Sequence, residues 1–463
     1  MPVEGRGLGS RQTQEVAKDR RLGNLKTPSN VQKLQMAIHA KAKGEPNFRF
    51  YLLYDKVYRK DILEYAYQRC RGNDGAAGID REEFEDIEEY GVGRWLGELA
   101  EELRKKTYRP EAVRRVYIPK ADGKQRPLGI PIIRDRVVQM AAVLVLEPIF
   151  EADLQPEQHG YRANRNAHSA IKQVHSLLNT GHTEVIDADL RGYFDSIPHA
   201  ELLKSVARRV VDRDMLHLIK MWLEAPVEER DERGHKKRTT ESRDRKRGVP
   251  QGSPISPLLA NLYMRRFVLG WKQGGWAQRY GAHIVNYADD MVICCKGRAE
   301  EAMASMRRIM ERLKLTVNEE KTHICKVPEQ YFDFLGYTFG RFYSTKTGRA
   351  YIGTRPSKKS VKRMIEVISA DTNRRLGWKD ADAVVMQLNR KLTGWANYFR
   401  LGPVSNAYRA LETHTTNRLR RWLHRKHKAK GTARSCYPDT YLHQKLGLVH
   451  LPSLTKSFPW ANA

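Results

Sequence analysis

Two short apolar runs, Ile284–Asn286 and Met291–Cys294, meet at Tyr287, Ala288, Asp289 and Asp290, and this junction constrains the chain more than any other stretch of it. Strand-forming residues on both sides make the four residues read as the bend of a hairpin. Two adjacent carboxylates at a bend repel each other unless cations hold them, so divalent metal is the first reading. The bland alternative is a solvated acidic turn.

Upstream, Glu184–His199 reads EVIDADLRGYFDSIPH. Val185, Ile186 and Leu190 support a strand, with Asp187 and Asp189 alternating onto one face of it. Taken singly, Asp187 reads as a strand end facing water. Together the two segments offer carboxylates from separate strands, as nucleotidyl transfer requires. One Mg²⁺ lowers the pKa of a 3′ hydroxyl, and a pair of ions stabilises charge as pyrophosphate leaves.

With these residues in view, the sequence resembles the reverse transcriptases and maturases encoded by bacterial group II introns, over most of its length. The resemblance places catalysis and metal binding on Asp189, Asp289 and Asp290, makes Asp187 a neighbour, and implies two Mg²⁺ ions, with Mn²⁺ as a substitute. It puts a steric gate against the ribose 2′ hydroxyl on Phe194. GVPQGSPISPLLANLYM, Gly248 to Met264, resembles the segment whose Gln251 lies against the incoming dNTP. YIPKADGKQRPLGIP, Tyr117 to Pro131, reads as two strands around a turn at Ala121 to Gly123, and the resemblance implies that Lys120 and Arg126 meet the triphosphate. A planar guanidinium fork and a compact ammonium suit phosphate oxygens.

Asn73, Gly75, Gly78 and Asp80 resemble an N-terminal extension of the family, implied to close over template and primer. GYRANRNAHSA, Gly160 to Ala170, departs from the family pattern at Ala163, where proline is usual, and that change is expected not to touch catalysis. LKLTVNEEKTHIC around Asn318 and Lys321, and FDFLGYTF from Phe332 to Phe339, are assigned to palm structure, with Lys321 a candidate active-site neighbour.

LNRKLTGWANYFRLG, Leu388 to Gly402, and the helical pattern through Arg425 resemble the thumb or maturase domain, domain X. Trp395, Tyr398 and Phe399 fall at helical spacing and read as core. Arg409, Arg418, Arg420, Arg421, Arg425, Lys426, Lys428 and Lys430, with Arg434 beyond them, crowd a stretch in which Glu412 is the only acid. They are expected to form a track for nucleic-acid phosphates.

A net charge of +29 favours a polyanionic partner bound with steep salt dependence. No basic amphipathic segment stands apart from the motifs, and no apolar run reaches the length of a bilayer, so a ribonucleoprotein is read in preference to a membrane-bound protein. Cys70, Cys294, Cys295, Cys325 and Cys436 form no CxxC pair, which argues against a zinc ribbon or disulfide framework and fits a reducing compartment. Glu228 to Arg247 is a charged insertion, expected to be an exposed hairpin or mobile excursion with its turn near Gly234. Val137 to Leu146 suits an interior helix.

The expected fold is α+β: a right-hand polymerase with fingers and an antiparallel palm sheet with helices, followed by an α-helical thumb. Residues 1–24 read as a basic flexible arm, 25–130 as fingers with the N-terminal extension, 131–345 as palm, 346–428 as thumb and domain X, and 429–463 as a short DNA-binding tail. That tail has no His and Cys cluster of an HNH endonuclease. The resemblance implies an RNA-directed DNA polymerase of the bacterial cytoplasm that binds its parent group II intron RNA, assists splicing and copies the intron into DNA at a primed target. The alternative is a free-standing relative acting in DNA repair or phage defence. A splicing factor with a dead polymerase would lack one of the three aspartates, and all are present. Oligomeric state stays open.

Overall fold

Val137–Leu146, the longest apolar run, lies in the middle of the helix Ile133–Glu151 and is buried on every side. A helix without a polar face can only sit inside a core, and the helices Ser29–Gly44 and Lys60–Asn73 pack over it. The computed structural model describes residues 25–119, 125–230, 235–344 and 347–455. These form two compact units, one comprising residues 25–170 and 184–324, the other 171–183 and 325–455.

Two sheets belong to the first unit. One has the order β2-β1-β4-β5, built from β1 (Val113–Pro119), β2 (Gln125–Ile130), β4 (Val227–Arg230) and β5 (Lys236–Thr239). The hairpin expected at Tyr117–Pro131 is β1 and β2, paired from Arg114↔Ile130 to Pro119↔Gln125. Its turn lies outside the described residues. The charged insertion is also a hairpin, β4 and β5, with its turn residues 231–234 likewise outside them. It is not an excursion from the body, however, because β4 adds to β1 in parallel through Val113↔Val227 and Arg114↔Glu228. Glu228 is accordingly buried, and Arg238 Nε donates to it at 3.1 Å.

The second sheet runs β6-β7-β3, from β6 (His283–Tyr287), β7 (Asp290–Cys295) and β3 (Glu184–Ala188), with β8 (His323–Lys326) on the outer side of β3. Val185, Ile186, Val285, Val292 and Ile293 are fully buried in it. Asp212 joins loop to helix: its carboxylate caps the helix Arg213–Leu223 and accepts from the Leu53 and Tyr54 N–H groups at 2.7 and 2.8 Å. Arg136 fixes the segment after Asn73. Its guanidinium donates to the carbonyls of Pro131, Gly75 and Ala76, and a Cβ on Gly78 would lie 2.6 Å from Ile132 Cα.

In the second unit, β9 (Phe332–Phe334), β10 (Tyr337–Tyr343) and β11 (Ala350–Pro356) form an antiparallel sheet of order β11-β10-β9. The helices Lys358–Asp371, Ala381–Tyr398 and Ser405–Lys426 follow. Trp395, Tyr398 and Phe399 are buried, as their spacing implies. Trp395 and Phe399 meet at 4.6 Å between ring centroids, and the Tyr398 hydroxyl donates to the Leu335 carbonyl. The stretch set off by sequence as a tail folds back onto the helix Ser405–Lys426, where Leu451 N–H donates to Glu412 and Arg420 binds Tyr437 and Asp439. Sheets paired mainly in antiparallel, together with many helices, make the fold α+β. All five cysteines are free, and no helix among the described residues is long and apolar enough to cross a membrane.

Candidate active site

Tyr287 pairs with Asp290 across the β6–β7 hairpin, leaving Ala288 and Asp289 as a two-residue turn. Ala288 adopts φ +58°, the sign that tight hairpin turns require at their first position. On the far side of β7, the β3 pairing ends at Ala188↔Met291. One residue further on each strand lie Asp189 and Asp290, so two strands and one turn bring the three sequence-identified aspartates to the same edge of the sheet.

Asp189 is held from a third direction. Asn318 Nδ2 donates to its Oδ2 at 2.7 Å, Lys321 Nζ lies 4.0 Å from that oxygen, and the Asp189 backbone binds Thr322 Oγ1 and Asn318 N–H. The segment assigned from sequence to palm structure thus also places a positive neighbour, Lys321, beside the candidate acid Asp189. Among the described residues, no three acidic, His or Cys side chains converge as a metal cluster. Asp189, Asp289 and Asp290 bring like charges to one end of the sheet, where a cation would offset them. Their oxygens are nevertheless the ligand type that Mg²⁺ prefers, so the residues fit the ion by chemistry and by strand placement.

Sequence reasoning missed what stands behind the turn. Asn286 is fully buried, and its amide donates to the carbonyls of Ala288 at 2.9 Å and Asp290 at 3.3 Å. Its backbone is bracketed by Glu157 and His159, at 2.9 and 2.8 Å. Gln158 donates to the Asn261 carbonyl, and Asn261 donates to the Gly160 carbonyl at 2.6 Å. A Cβ on Gly160 would stand 2.5 Å from the Ala288 nitrogen. The Gly160–Ala170 segment therefore begins directly against the aspartate turn. Small amides carry no periodic pattern, and only their place beside YADD could have marked them.

Among the residues expected at the dNTP, Arg126 Nε donates to Gln251 Oε1 at 2.9 Å, and Gly129 N–H donates to the Gln251 carbonyl at 2.6 Å. Gly252, at φ +113°, passes so close to Gly129 O that a Cβ would lie 2.6 Å from it. Two of the residues expected at the dNTP are thus joined directly. Lys120, the third, lies outside the described residues. Phe194 is only 4% exposed and packs edge-on to Tyr193, while its carbonyl accepts from Val249 N–H at 2.8 Å. His199 Nε2 stands 2.8 Å from the Gly248 carbonyl, and burial lowers the His199 pKa.

Two family models match in the order of these elements: the reverse transcriptase (RNA-dependent DNA polymerase) over residues 118–339 and the group II intron maturase-specific domain over 361–438. Protein YkfC of Escherichia coli K12 is 34% identical over 297 residues, covering 57% of this chain and 75% of its own. The group II intron-encoded protein LtrA of Lactococcus lactis subsp. cremoris is 31% identical over 281 residues, 59% of this chain and 43% of its own. The putative COX1/OXI3 intron 1 protein of Saccharomyces cerevisiae is 28% identical over 332 residues, 60% and 38% respectively. The chain belongs to the group II intron reverse transcriptase and maturase family. It spans less than half the length of LtrA.

Within the maturase-specific segment the basic run divides. Arg409, Arg421, Arg425, Lys428 and Lys430 are exposed. Arg420 is not available to a phosphate: it is 7% exposed, and its fork is engaged by the Tyr437 carbonyl and Asp439. Arg418 donates to Ser369 O, Thr372 O and Thr372 Oγ1, closing the end of the helix Lys358–Asp371. Lys426 Nζ donates to the carbonyls of Gly377 and Lys379. These three side chains hold the unit together, which corrects their assignment to the track.

Proposed function

We propose that this family member is an RNA-directed DNA polymerase that binds its parent group II intron RNA, assists its splicing and copies it into DNA by target-primed reverse transcription. The observation that carries the proposal is the edge shared by Asp189 and the Asp289–Asp290 turn, in a chain that also matches the maturase-specific domain. In this reading Asp189, Asp289 and Asp290 hold two Mg²⁺ ions, which when bound lower the pKa of the primer 3′ hydroxyl and stabilise the charge of the departing pyrophosphate. Asn318 and Lys321 orient Asp189 and offset its charge. Gln251 and Arg126, linked to each other, present a fixed amide and a guanidinium to the dNTP, with Lys120 as a second cation. Phe194 limits the space at the 2′ position of the sugar. Residues 25–130 act as fingers, 131–345 as palm and 346–428 as thumb and domain X, and the residues from 429 onward contact DNA. Arg409, Arg421, Arg425, Lys428 and Lys430 offer phosphate contacts.

The test is sequencing of RNA crosslinked to the protein in its own host, with Asp289→Ala beside the wild type. The variant is expected to lose cDNA synthesis in Mg²⁺ while keeping its RNA, because it removes a metal ligand and no phosphate contact. Recovery of one structured RNA that contains this reading frame supports the maturase role. Diffuse recovery of unrelated transcripts refutes it and favours a free-standing polymerase.

A further inference from the structure

The first unit has a second concave site away from the aspartates. The helices His199–Ala207 and Ser256–Gln273 pack together, and their C-terminal halves, with Arg49, line an open hollow of about 560 Å³. Arg49, Lys204, Arg208, Arg265 and Arg266 line this hollow, and no acid does.

The acids nearest to it are already committed. Asp153 is shared by Arg208 and Arg209, at 2.5 and 3.6 Å, and Glu201 pairs with Lys314 at 2.6 Å. Arg265 is 8% exposed and is held by a hydrogen bond from Nε to the Asp153 carbonyl at 2.7 Å. Burial first, and then the charge of Arg208, lower its pKa to about 10. A basic run on a helix is normally a solvated face. Arg208 has Asp153 as its counter-charge, and the other four cations converge on a hollow with no acid in its lining, so they repel one another until an anion spreads over them.

The lining also restricts the ligand. It contains no aromatic ring on which a base could stack, so it suits phosphates and offers little to a nucleobase. Ser256, at the start of the longer helix, donates to the Pro250 carbonyl beside Gln251. Arg266 lies ten residues along that helix, about 15 Å at the helical rise.

We propose that this hollow is a second nucleic-acid site, which grips backbone phosphates of a single RNA strand about 15 Å along the helix from the Gln251 loop without reading its sequence. The proposal rests on the reading of the chain as an RNA-directed polymerase and adds a place where the template is held.

The experiment uses the full chain and the combined variant Arg49→Gln, Lys204→Gln, Arg266→Gln, with Lys204→Glu alone as a second variant should the first unfold. Three probes are compared: a DNA primer on an RNA template with an overhang of a few nucleotides, the same primer with an overhang of several tens, and inorganic tripolyphosphate. Loss of three cations should weaken the long-overhang complex about tenfold at moderate salt and reduce its log–log salt slope by about 2, at roughly 0.7 per single-strand phosphate contact. Binding and extension of the short template should stay as in wild type. An unchanged slope on the long template would overturn the site. So would loss of tripolyphosphate binding with both templates bound normally, which would make the hollow a small-anion pocket. If the wild type extends neither primer but the long overhang still separates wild type from variant, the polymerase reading fails and the phosphate grip stands.

Discussion

Asn286 has two donors, and both go to carbonyls of the turn that presents Asp289 and Asp290. Asn286→Ala should leave the hairpin paired but free the carboxylates to drift. The loss expected of a residue that orients a metal-binding group is roughly 10- to 100-fold in activity. It should appear in kcat and as a higher Mg²⁺ requirement in primer extension, with KM for dNTP little changed; a normal Mg²⁺ titration would refute this role. A second buried polar residue answers to pH. Asp135, which accepts from the Tyr108 hydroxyl and Glu111 N–H, is raised by burial from 3.8 to about 6. A carboxyl raised on folding binds more protons in the native state, so its stabilisation is complete below its unfolded value and is lost as pH rises through about 6. Urea unfolding followed from about pH 4.5 to pH 7 should show Asp135→Asn flattening the decline by on the order of 2 kcal/mol.

Neighbouring arginines on the helix Ser405–Lys426 do unlike work. Arg420→Ala should cost about 2 kcal/mol of stability by removing a charged donor from Tyr437 and Asp439. Neutralising Arg421 and Arg425 together should leave stability within about 0.5 kcal/mol and lower the salt slope of RNA binding by about 1 to 2. Thermal melting and binding across a salt series separate the two effects. Composition could not have sorted them, because Arg420 and Arg421 differ by one step around a helix and the partner of Arg420 comes from nineteen residues on. The β6–β7 hairpin, by contrast, was legible: its strand pattern and its turn are contained within a dozen residues. That a third acid joins the pair was read from the two segments together, but the pairing of β3 to β7 was not, since nothing local in EVIDA names its partner. The addition of β4 to β1 was not legible at all, because a charged strand carries no sign of the edge it will join.

At the scale of the whole molecule, glycines divide the chain into parts that accept new side chains and parts that do not. Gly93 and Gly97 in the helix Val92–Arg104 and Gly394 in the helix Ala381–Tyr398 have nothing within 4 Å of a new Cβ. Alanine at each should stabilise by about 0.4 to 1 kcal/mol, through a less disordered unfolded chain and a better helix interior. Unfolding midpoints of the three single variants would check this. Gly160 is the opposite case, since the atom that alanine adds there would press on the backbone of the aspartate turn. Anyone seeking a more heat-resistant copying enzyme by replacing glycines wholesale would therefore gain at these helix positions and strain the backbone at others, Gly78, Gly160 and Gly252 among them. Substitutions chosen by the room around each glycine would keep the gain and avoid the strain.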